Sequence, residues 1–396
     1  MTAFKKAVLF VHRWLGFVSG LVVFIVSITG CLFCFQDEIQ DAMYDYRKVA
    51  VSNAPYLKPT ALQQAALKQF PKGKAGMVAY MGADRSAQVR LTDEKKAQHF
   101  MYFNPYTGKY LSDENPRTNF FIIVEFIHLY LLLPPKIGKV VVGVAVLIFV
   151  TLMITGIVLW WPKRKSDRKR SFTVKWNGRW RRVNYDLHNV LGFYSTAIAL
   201  ILAITGLSMS FEWMEKGIYK AGNLGKSYAA ELKEFKSDSL NKGNVAPEPI
   251  IDKAYAYIRK QSPKALMYML YEGAGADGAL HATAYAQSLK YAFNDYYTFD
   301  KYTGKLLNYM PHAKKSTGMK LNNMNYDIHV GQIAGLPGKI IAFIASLICA
   351  SLPITGLIIY LGKRKKPKAK RLRQVTHHKS QRHLQVVTGK KAVGGA

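Results

Sequence analysis

Cysteine and acidic residues are both scarce in this chain. Its 396 residues include three cysteines, and 24 Asp and Glu stand against 56 Lys and Arg. Cys31, Cys34 and Cys349 all lie inside apolar runs, which excludes an extracellular disulfide framework. Cys31 and Cys34 have Cys-x-x-Cys spacing but lack the strand-helix pattern of a thioredoxin-like site. The favoured interpretation is therefore packing of small residues against neighbouring helices.

The motifs of several enzyme classes are also missing from the sequence. It contains no Gly-x-Ser-x-Gly, no His-Glu-x-x-His and no P-loop, and the glycines of 273–278 fall in a predicted loop without the strand-turn-helix context of a Rossmann fingerprint. Cys-x-x-Cys-His is absent too, which disfavours covalent attachment of a c-type haem. A hydrolytic site thus has no candidate residues.

Long uncharged runs are abundant instead. They cover residues 15–36, 140–161, 187–211 and 340–362. Each run is long enough for a helix to cross a bilayer core of about 30 Å. The sequence therefore predicts an α-helical membrane protein with four transmembrane helices.

The positive charge is confined to the flanks of these runs. Residues 1–13 hold three Lys and Arg, residues 162–186 hold ten, and the tail from 362 holds twelve, against two acids in all. By the positive-inside rule, both termini and the 162–186 loop lie in the cytoplasm and the two longer segments in the periplasm, across a bacterial inner membrane. Because the basic stretches begin at helix exits, we expect them to contact membrane lipid and not nucleic acid.

The two longer segments show the patterns of small α+β domains. Alternating apolar stretches predict strands, and each segment has an aromatic-turn-Thr-Gly-Lys motif typical of a tight hairpin, at 103–109 and 299–305. Residues 61–70 and 250–259 have the pattern of amphipathic helices. In the predicted first half, transmembrane helix 1 covers 1–36, periplasmic domain 1 covers 37–118, and an interfacial segment with helix 2 covers 119–161. A cytoplasmic loop at 162–186 joins this half to the second. There, helix 3 covers 187–211, periplasmic domain 2 covers 212–321, an interfacial segment with helix 4 covers 322–362, and a basic cytoplasmic tail covers 363–396.

Ile-Thr-Gly occurs four times in the apolar runs, at 28–30, 154–156, 204–206 and 354–356. The first copy, followed by Cys31, also matches a lipoprotein cleavage signal. The other three copies lack a cysteine, so the repetition accounts for the match and we expect the first helix to be retained. The glycines would let a flat macrocycle or another helix approach closely. Ordinary packing of small residues is the alternative interpretation.

Four histidines accompany these motifs. His12 and His188 open matching His-x-x-Leu-Gly-Phe sequences 176 residues apart, the same offset that separates Thr29 from Thr205. His128 and His329 precede the second and fourth helices. The pattern predicts two tandem repeats of one unit.

The topology sorts the histidines into two pairs. It places His12 with His188 near the cytoplasmic face and His128 with His329 near the periplasmic face. Histidine at membrane depth is costly and usually functional, and two matched pairs indicate metal ligation. A histidine that snorkels to the interface is the alternative for each.

These features together resemble the PepSY-associated transmembrane family, over nearly the whole chain up to about Gly362. The resemblance implies PepSY-like outer domains. It also implies two non-covalent b-type haems with bis-histidine ligation, His12 and His188 on the cytoplasmic-side iron and His128 and His329 on the periplasmic-side iron. The family includes inner-membrane reductases of ferric siderophores, so the implied activity is reduction of a ferric siderophore or another ferric chelate by an oxidoreductase.

Three functions remain open at this stage. The first is such a reductase, supplied with electrons by a quinol, a reduced flavin or a reductase protein. The second is a scaffold or sensor whose outer domains bind a peptide or protein. The third is a haem relay to another redox protein. The duplicated histidines favour a redox protein over a scaffold.

Overall fold

The computed structural model describes residues 2–162, 164–241 and 247–364. The predicted basic tail falls outside these residues from 365 onward, and with it His377, His378 and His383.

Four long helices form a bundle. They are α1 (Ala3–Cys34), α5 (Pro135–Trp160), the stretch from α7 (Trp180–Asp186) to α8 (Gly192–Ser210), and α13 (Gly335–Arg364). In the described part of the chain, four helical spans are long and apolar enough to cross a membrane. The third span begins at Trp180, within the segment expected to be loop. A π-helical turn, Leu187–Leu191, joins α7 to α8.

The four helices pack in a ring. α1 contacts α5 and α13, and α8 contacts the same two neighbours, so α1 and α8 lie diagonally opposite. We call the end of the bundle that holds Ala3, Trp160 and Trp180 the basic end. The other end, which holds Cys34 and Pro135, is the sheet end.

A single sheet of eight antiparallel strands lies beyond the sheet end. Its spatial order is β4-β3-β2-β1-β5-β6-β7-β8. The strands are β1 (Lys74–Tyr80), β2 (Ala87–Thr92), β3 (Gln98–Phe103), β4 (Tyr110–Glu114), β5 (Met267–Glu272), β6 (Leu280–Gln287), β7 (Lys290–Phe299) and β8 (Leu306–Met310).

The two outer segments are therefore one structural layer. β1 of the first pairs with β5 of the second, with Val78 opposite Leu270 and Tyr80 opposite Tyr268. This corrects the expectation of two separate α+β domains. Each four-stranded half would leave a hydrogen-bonding edge exposed, and pairing β1 with β5 removes both edges.

Two helices cover one face of the sheet. They are α3 (Pro59–Gln69) and α11 (Ile250–Gln261). Both halves contribute to one apolar core, in which the rings of Tyr80 and Tyr255 stack with centroids 4.6 Å apart. Gly108 and Gly304 have φ of +73° and +69° in the two Thr-Gly-Lys hairpins, a conformation that glycine adopts without steric cost.

Short helices complete the chain. At the sheet end lie α2 (Gln36–Met43), α4 (Phe120–Tyr130), α9 (Glu212–Gly222), α10 (Ala229–Leu232) and α12 (Thr317–His329), and at the basic end lies α6 (Arg168–Phe172). α4 and α12 lead into α5 and α13, and each carries one candidate histidine in its last turn.

Candidate metal centre

The four predicted histidines meet in two pairs. At the basic end, His12 on α1 and His188 in the π-helical turn have ring centroids 6.4 Å apart, with ring planes at 87°. At the sheet end, His128 on α4 and His329 on α12 have centroids 6.1 Å apart, with planes at 70°. Each pair joins one histidine from residues 2–162, the first half, to one from residues 164–364, the second half.

The π-helical turn has a direct consequence for His188. Such turns insert one extra residue into a helix and are frequent at functional sites. Here the turn begins one residue before His188 and directly follows Asp186, which is buried and paired with Arg182 at 2.7 Å. The irregular backbone is thus fixed by a buried ion pair on its N-terminal side.

Each of the four paired histidines forms a hydrogen bond with the threonine of an Ile-Thr-Gly motif. The Nδ1–Oγ1 distances are 2.9 Å for His12 and Thr155, 3.1 Å for His128 and Thr29, 2.9 Å for His188 and Thr355, and 2.9 Å for His329 and Thr205. Within each half, the first histidine binds the second motif and the second histidine binds the first. The four motifs therefore serve the four histidines one to one.

These bonds fix which ring nitrogen carries the proton. Thr29 Oγ1 donates to the carbonyl of Ile25 at 2.8 Å, and its three counterparts donate likewise to carbonyls four residues earlier. A hydroxyl that donates to a carbonyl is left to accept from its other neighbour, so Nδ1 is the protonated nitrogen. His128 Nδ1 also lies 2.9 Å from the carbonyl of Val26, which can only accept. Nε2 of each neutral imidazole then keeps its lone pair for a metal.

The glycines of the motifs make room for the same rings. A Cβ at Gly206 would lie 3.1 Å from Cε1 of His329, and at Gly30 or Gly356 it would lie 3.3 Å from Cε1 of the paired histidine. At Gly156 the distance to His12 would be 3.6 Å, an ordinary contact. We call each Thr-Gly pair with its histidine a seat. The glycine admits an imidazole edge, a role that the sequence analysis assigned to a macrocycle or another helix.

Two asparagines reinforce the seats of the second half. Asn184 donates to the carbonyl of Thr355 at 3.1 Å, and Asn325 donates to the carbonyl of Thr205 at 3.0 Å. Each lies four residues before its histidine, one helical turn away, and each is buried. The sequence analysis missed both. The signal that could have found them is the same i−4 spacing from His188 and His329.

The histidine pairs fit a haem iron. With a metal–nitrogen bond of about 2.0 Å and about 1.1 Å from nitrogen to ring centre, two imidazoles on opposite sides of one iron have centroids about 6.2 Å apart. The two observed separations bracket this value. Among the described residues, no three His, Cys, Asp or Glu side chains cluster as a metal site. Each pair therefore offers two protein ligands, the number a macrocycle with four equatorial nitrogens requires.

The histidines outside the pairs have other partners. His99 Nδ1 lies 2.7 Å from a carboxyl oxygen of Asp113, and His281 Nδ1 lies 2.5 Å from the hydroxyl of Tyr296. Burial lowers the pKa of His281, and burial together with the nearby Lys315 lowers the pKa of His312. All three are half-buried in the sheet layer. In the sequence these three histidines have no repeat partners, which predicts ordinary surface residues, and their partial burial corrects that expectation.

Four apolar spans and an antiparallel sheet with covering helices define a polytopic membrane protein with one α+β domain. The family model described as the PepSY-associated TM region matches residues 9–363, and the chain belongs to this family. No curated protein matches the chain.

Proposed function

We propose that this protein is a dihaem oxidoreductase of the bacterial inner membrane that reduces a ferric chelate, such as a ferric siderophore, in the periplasm. The observation that carries the proposal is the repeated seat. Four histidines, each with Nδ1 bound to a threonine and its edge against a glycine, form two pairs with centroids 6.1 and 6.4 Å apart.

The residues of the chain hold and insulate the cofactors. His12 and His188 would hold one haem b at the basic end, and His128 and His329 a second at the sheet end. A haem held by two imidazoles would supply one-electron transfer. The threonines keep Nδ1 protonated and orient the rings, and hydrogen bonds of this kind also raise the basicity of the ligand.

The placement of the pairs suits transfer across a membrane. One pair lies at each end of helices that are long enough to span the bilayer. An electron would therefore not have to cross the full thickness of the membrane from a single site. The charge distribution supports an orientation with the basic end in the cytoplasm and the sheet in the periplasm. Reduction loosens a ferric chelate because Fe(II) suits hard oxygen ligands less well than Fe(III).

The test is a dithionite-reduced minus oxidised absorption spectrum of the purified full-length protein, with haem counted per chain. We expect two low-spin b-type haems in the wild type and one in each of His12→Ala and His329→Ala. His99→Ala, which changes a half-buried histidine outside the pairs, is the control and should keep both haems. A colourless protein from haem-replete cells would refute the proposal and favour the scaffold.

A second measurement addresses the substrate. Protein reduced by dithionite, freed of excess reductant and mixed anaerobically with a ferric trihydroxamate should be reoxidised while Fe(II) appears in equal electron equivalents. Reoxidation only by another redox protein, and by no ferric chelate tried, would favour the haem relay.

A further inference from the structure

A cleft of about 820 Å³ opens at the basic end, between α6 and α7. Its charged side chains are all basic: Lys169, Arg170, Lys175 and Arg182. Ser166, Thr173 and Asn177 add neutral hydrogen-bonding groups. No carboxylate is among the described residues that line it. Its volume is typical of sites for small molecules of cofactor size.

Both walls of the cleft are held in place by interior contacts. On one side, Trp160 donates to the carbonyl of Ser171 at 2.9 Å and stacks on Phe193 with centroids 3.7 Å apart. On the other, the carboxylate of Asp186 binds Arg182 at 2.7 Å and the backbone N–H of Lys175 at 3.2 Å. The basic groups therefore project from a fixed frame.

The charges of the cleft are largely uncompensated. Arg182 has Asp186 as its partner, whereas Lys169, Arg170 and Lys175 have no ion pair within the described residues. Trp176, which also lines the cleft, is 72% exposed. Clustered cations suit a phosphate, and an exposed indole offers a face on which a planar ring can stack.

We propose that this cleft binds a mononucleotide with a planar aromatic base, and that its redox-active occupant is reduced flavin mononucleotide, which serves as the electron donor. The inference rests on the proposed function, which requires an electron source at the basic end. A quinol has no phosphate and needs no basic cleft. A nicotinamide nucleotide releases a hydride, whereas a reduced flavin can release its electrons singly, as one-electron acceptors require.

The reaction balances without a further reactant. One reduced flavin mononucleotide loses two electrons and two protons and becomes the oxidised flavin. The protons go to the solvent at the basic end. Two ferric chelates at the sheet end each gain one electron and become ferrous.

The cleft and the basic-end pair share one element, because α7 forms a wall of the cleft and runs directly into the π-helical turn that carries His188. Asp186, which holds one wall, precedes His188 by two residues, and α7 also carries Asn184, which supports the seat of His188. A donor bound there is next to the helix that presents one ligand of this pair.

Binding is tested with full-length protein in nanodiscs of neutral phosphatidylcholine. Oxidised flavin mononucleotide is titrated and its fluorescence followed, with riboflavin, which lacks the phosphate, in parallel. We expect saturable binding of the nucleotide and binding of riboflavin weaker by about tenfold or more, because charge-assisted hydrogen bonds to phosphate are lost.

Variants locate the site. Lys169→Ala with Arg170→Ala should weaken nucleotide binding by about tenfold or more, and Trp176→Ala by about threefold. Arg181→Ala and Trp180→Ala are matched controls on α7 outside the cleft, and they should bind as the wild type does. If the cleft variants also bind as the wild type does, the site is elsewhere and the inference is wrong.

A phospholipid headgroup is the other source of a phosphate in this place. Nanodiscs with phosphatidylglycerol distinguish the two. If the nucleotide fails to bind in neutral discs while the cleft variants lose affinity for the anionic lipid, the cleft is a lipid site and the inference is overturned.

Anaerobic mixing with reduced flavin mononucleotide completes the test, with haem reduction followed by absorbance. The wild type should be reduced and the Lys169→Ala, Arg170→Ala variant should be reduced at least about tenfold more slowly at limiting flavin. If dithionite reduces the haems and the ferric chelate reoxidises them, but reduced flavin does not reduce them, this inference fails and the proposed function stands. A protein without haem would remove the proposed function, whatever its affinity for the nucleotide.

Discussion

The two halves of the molecule build the same seats with different supports. In the first half, the positions one turn before the histidines are Val8 and Val124. In the second half they are Asn184 and Asn325, and both bind the carbonyl of a seat threonine. The first half therefore has an apolar side chain at each of these positions, whereas the second has a buried polar anchor.

The same contrast holds where the interfacial helices meet the sheet. In α12, Asp327 is fully buried and accepts from the backbone N–H groups of Tyr291 and Ala292 and from the side chain of Gln332. In α4, the position two residues before the histidine is Phe126, which is 45% exposed. α12 is fixed to strand β7, and α4 packs on α1 and α5.

This difference assigns separate mechanical roles to the halves. Because every histidine pair takes one ring from each half, a pair joins one histidine whose seat is reinforced by a buried asparagine to one whose seat is not. We infer that the second half fixes the position of each pair and the first half adapts to it.

The largest expected effect comes from Asp327→Ala. The change leaves two backbone N–H groups and one amide without a charged acceptor, so it should lower the free energy of unfolding by about 3–5 kcal/mol. Phe126→Ala at the corresponding site should cost less than about 1 kcal/mol, since that ring is half-exposed. Thermal unfolding of the detergent-solubilised protein, followed by tryptophan fluorescence, measures both. Equal losses of stability in the two variants would show that α12 is not held more firmly than α4.

A buried lysine next to α12 gives a pH-dependent prediction. Lys315 is 4% exposed and donates to the carbonyl of Asn294 at 2.7 Å, and burial lowers its pKa to about 8, with Asp295 and Glu231 opposing the shift. Between about pH 8 and about pH 10.4 the unfolded lysine binds a proton that the folded one has released, so this group makes stability rise with pH. The gain across that window is about 3 kcal/mol at most.

Lys315→Met should remove this slope. Urea unfolding at pH 8.0, 9.0 and 10.0 compares the two proteins. A slope that persists in Lys315→Met would show that another group is responsible.

Local patterns were enough to predict the apolar spans and to choose the four histidines that the structure brings together. Apolar runs and repeated motifs can be recognised in the sequence without knowing which distant residues are in contact. The β1–β5 pairing was not predictable in this way, because it joins strands almost 200 residues apart whose local patterns are the same whether their edges are free or paired. The threonines of the seats were also missed, since a threonine in an apolar helix has the same pattern whether it binds a histidine or its own backbone.

The glycines of the seats should differ in their tolerance of a methyl group. Gly206→Ala places Cβ 3.1 Å from His329, a ring held by the polar anchors of α12, and relief of such overpacking costs about 1–3 kcal/mol. Gly156→Ala places Cβ 3.6 Å from His12 and should have no effect. Haem content after dialysis against apomyoglobin measures retention at each end. Loss of haem from Gly156→Ala but not from Gly206→Ala would contradict the geometry of the seats.

The smallest effect is also the sharpest test of the comparison. Asn325→Val and Asn184→Val give the second half the valine that the first half has at each corresponding position. Each change removes one buried hydrogen bond worth about 1 kcal/mol. Each should speed haem loss about fivefold from its own end only, and shift the midpoint potential of that haem. Val124→Ala, the matched change in the first half, removes no polar anchor and should leave both potentials unchanged. If the asparagine variants keep the wild-type potentials and lose stability alone, the asparagines bind the helices together without positioning the histidines, and the assignment of a positioning role to the second half is wrong.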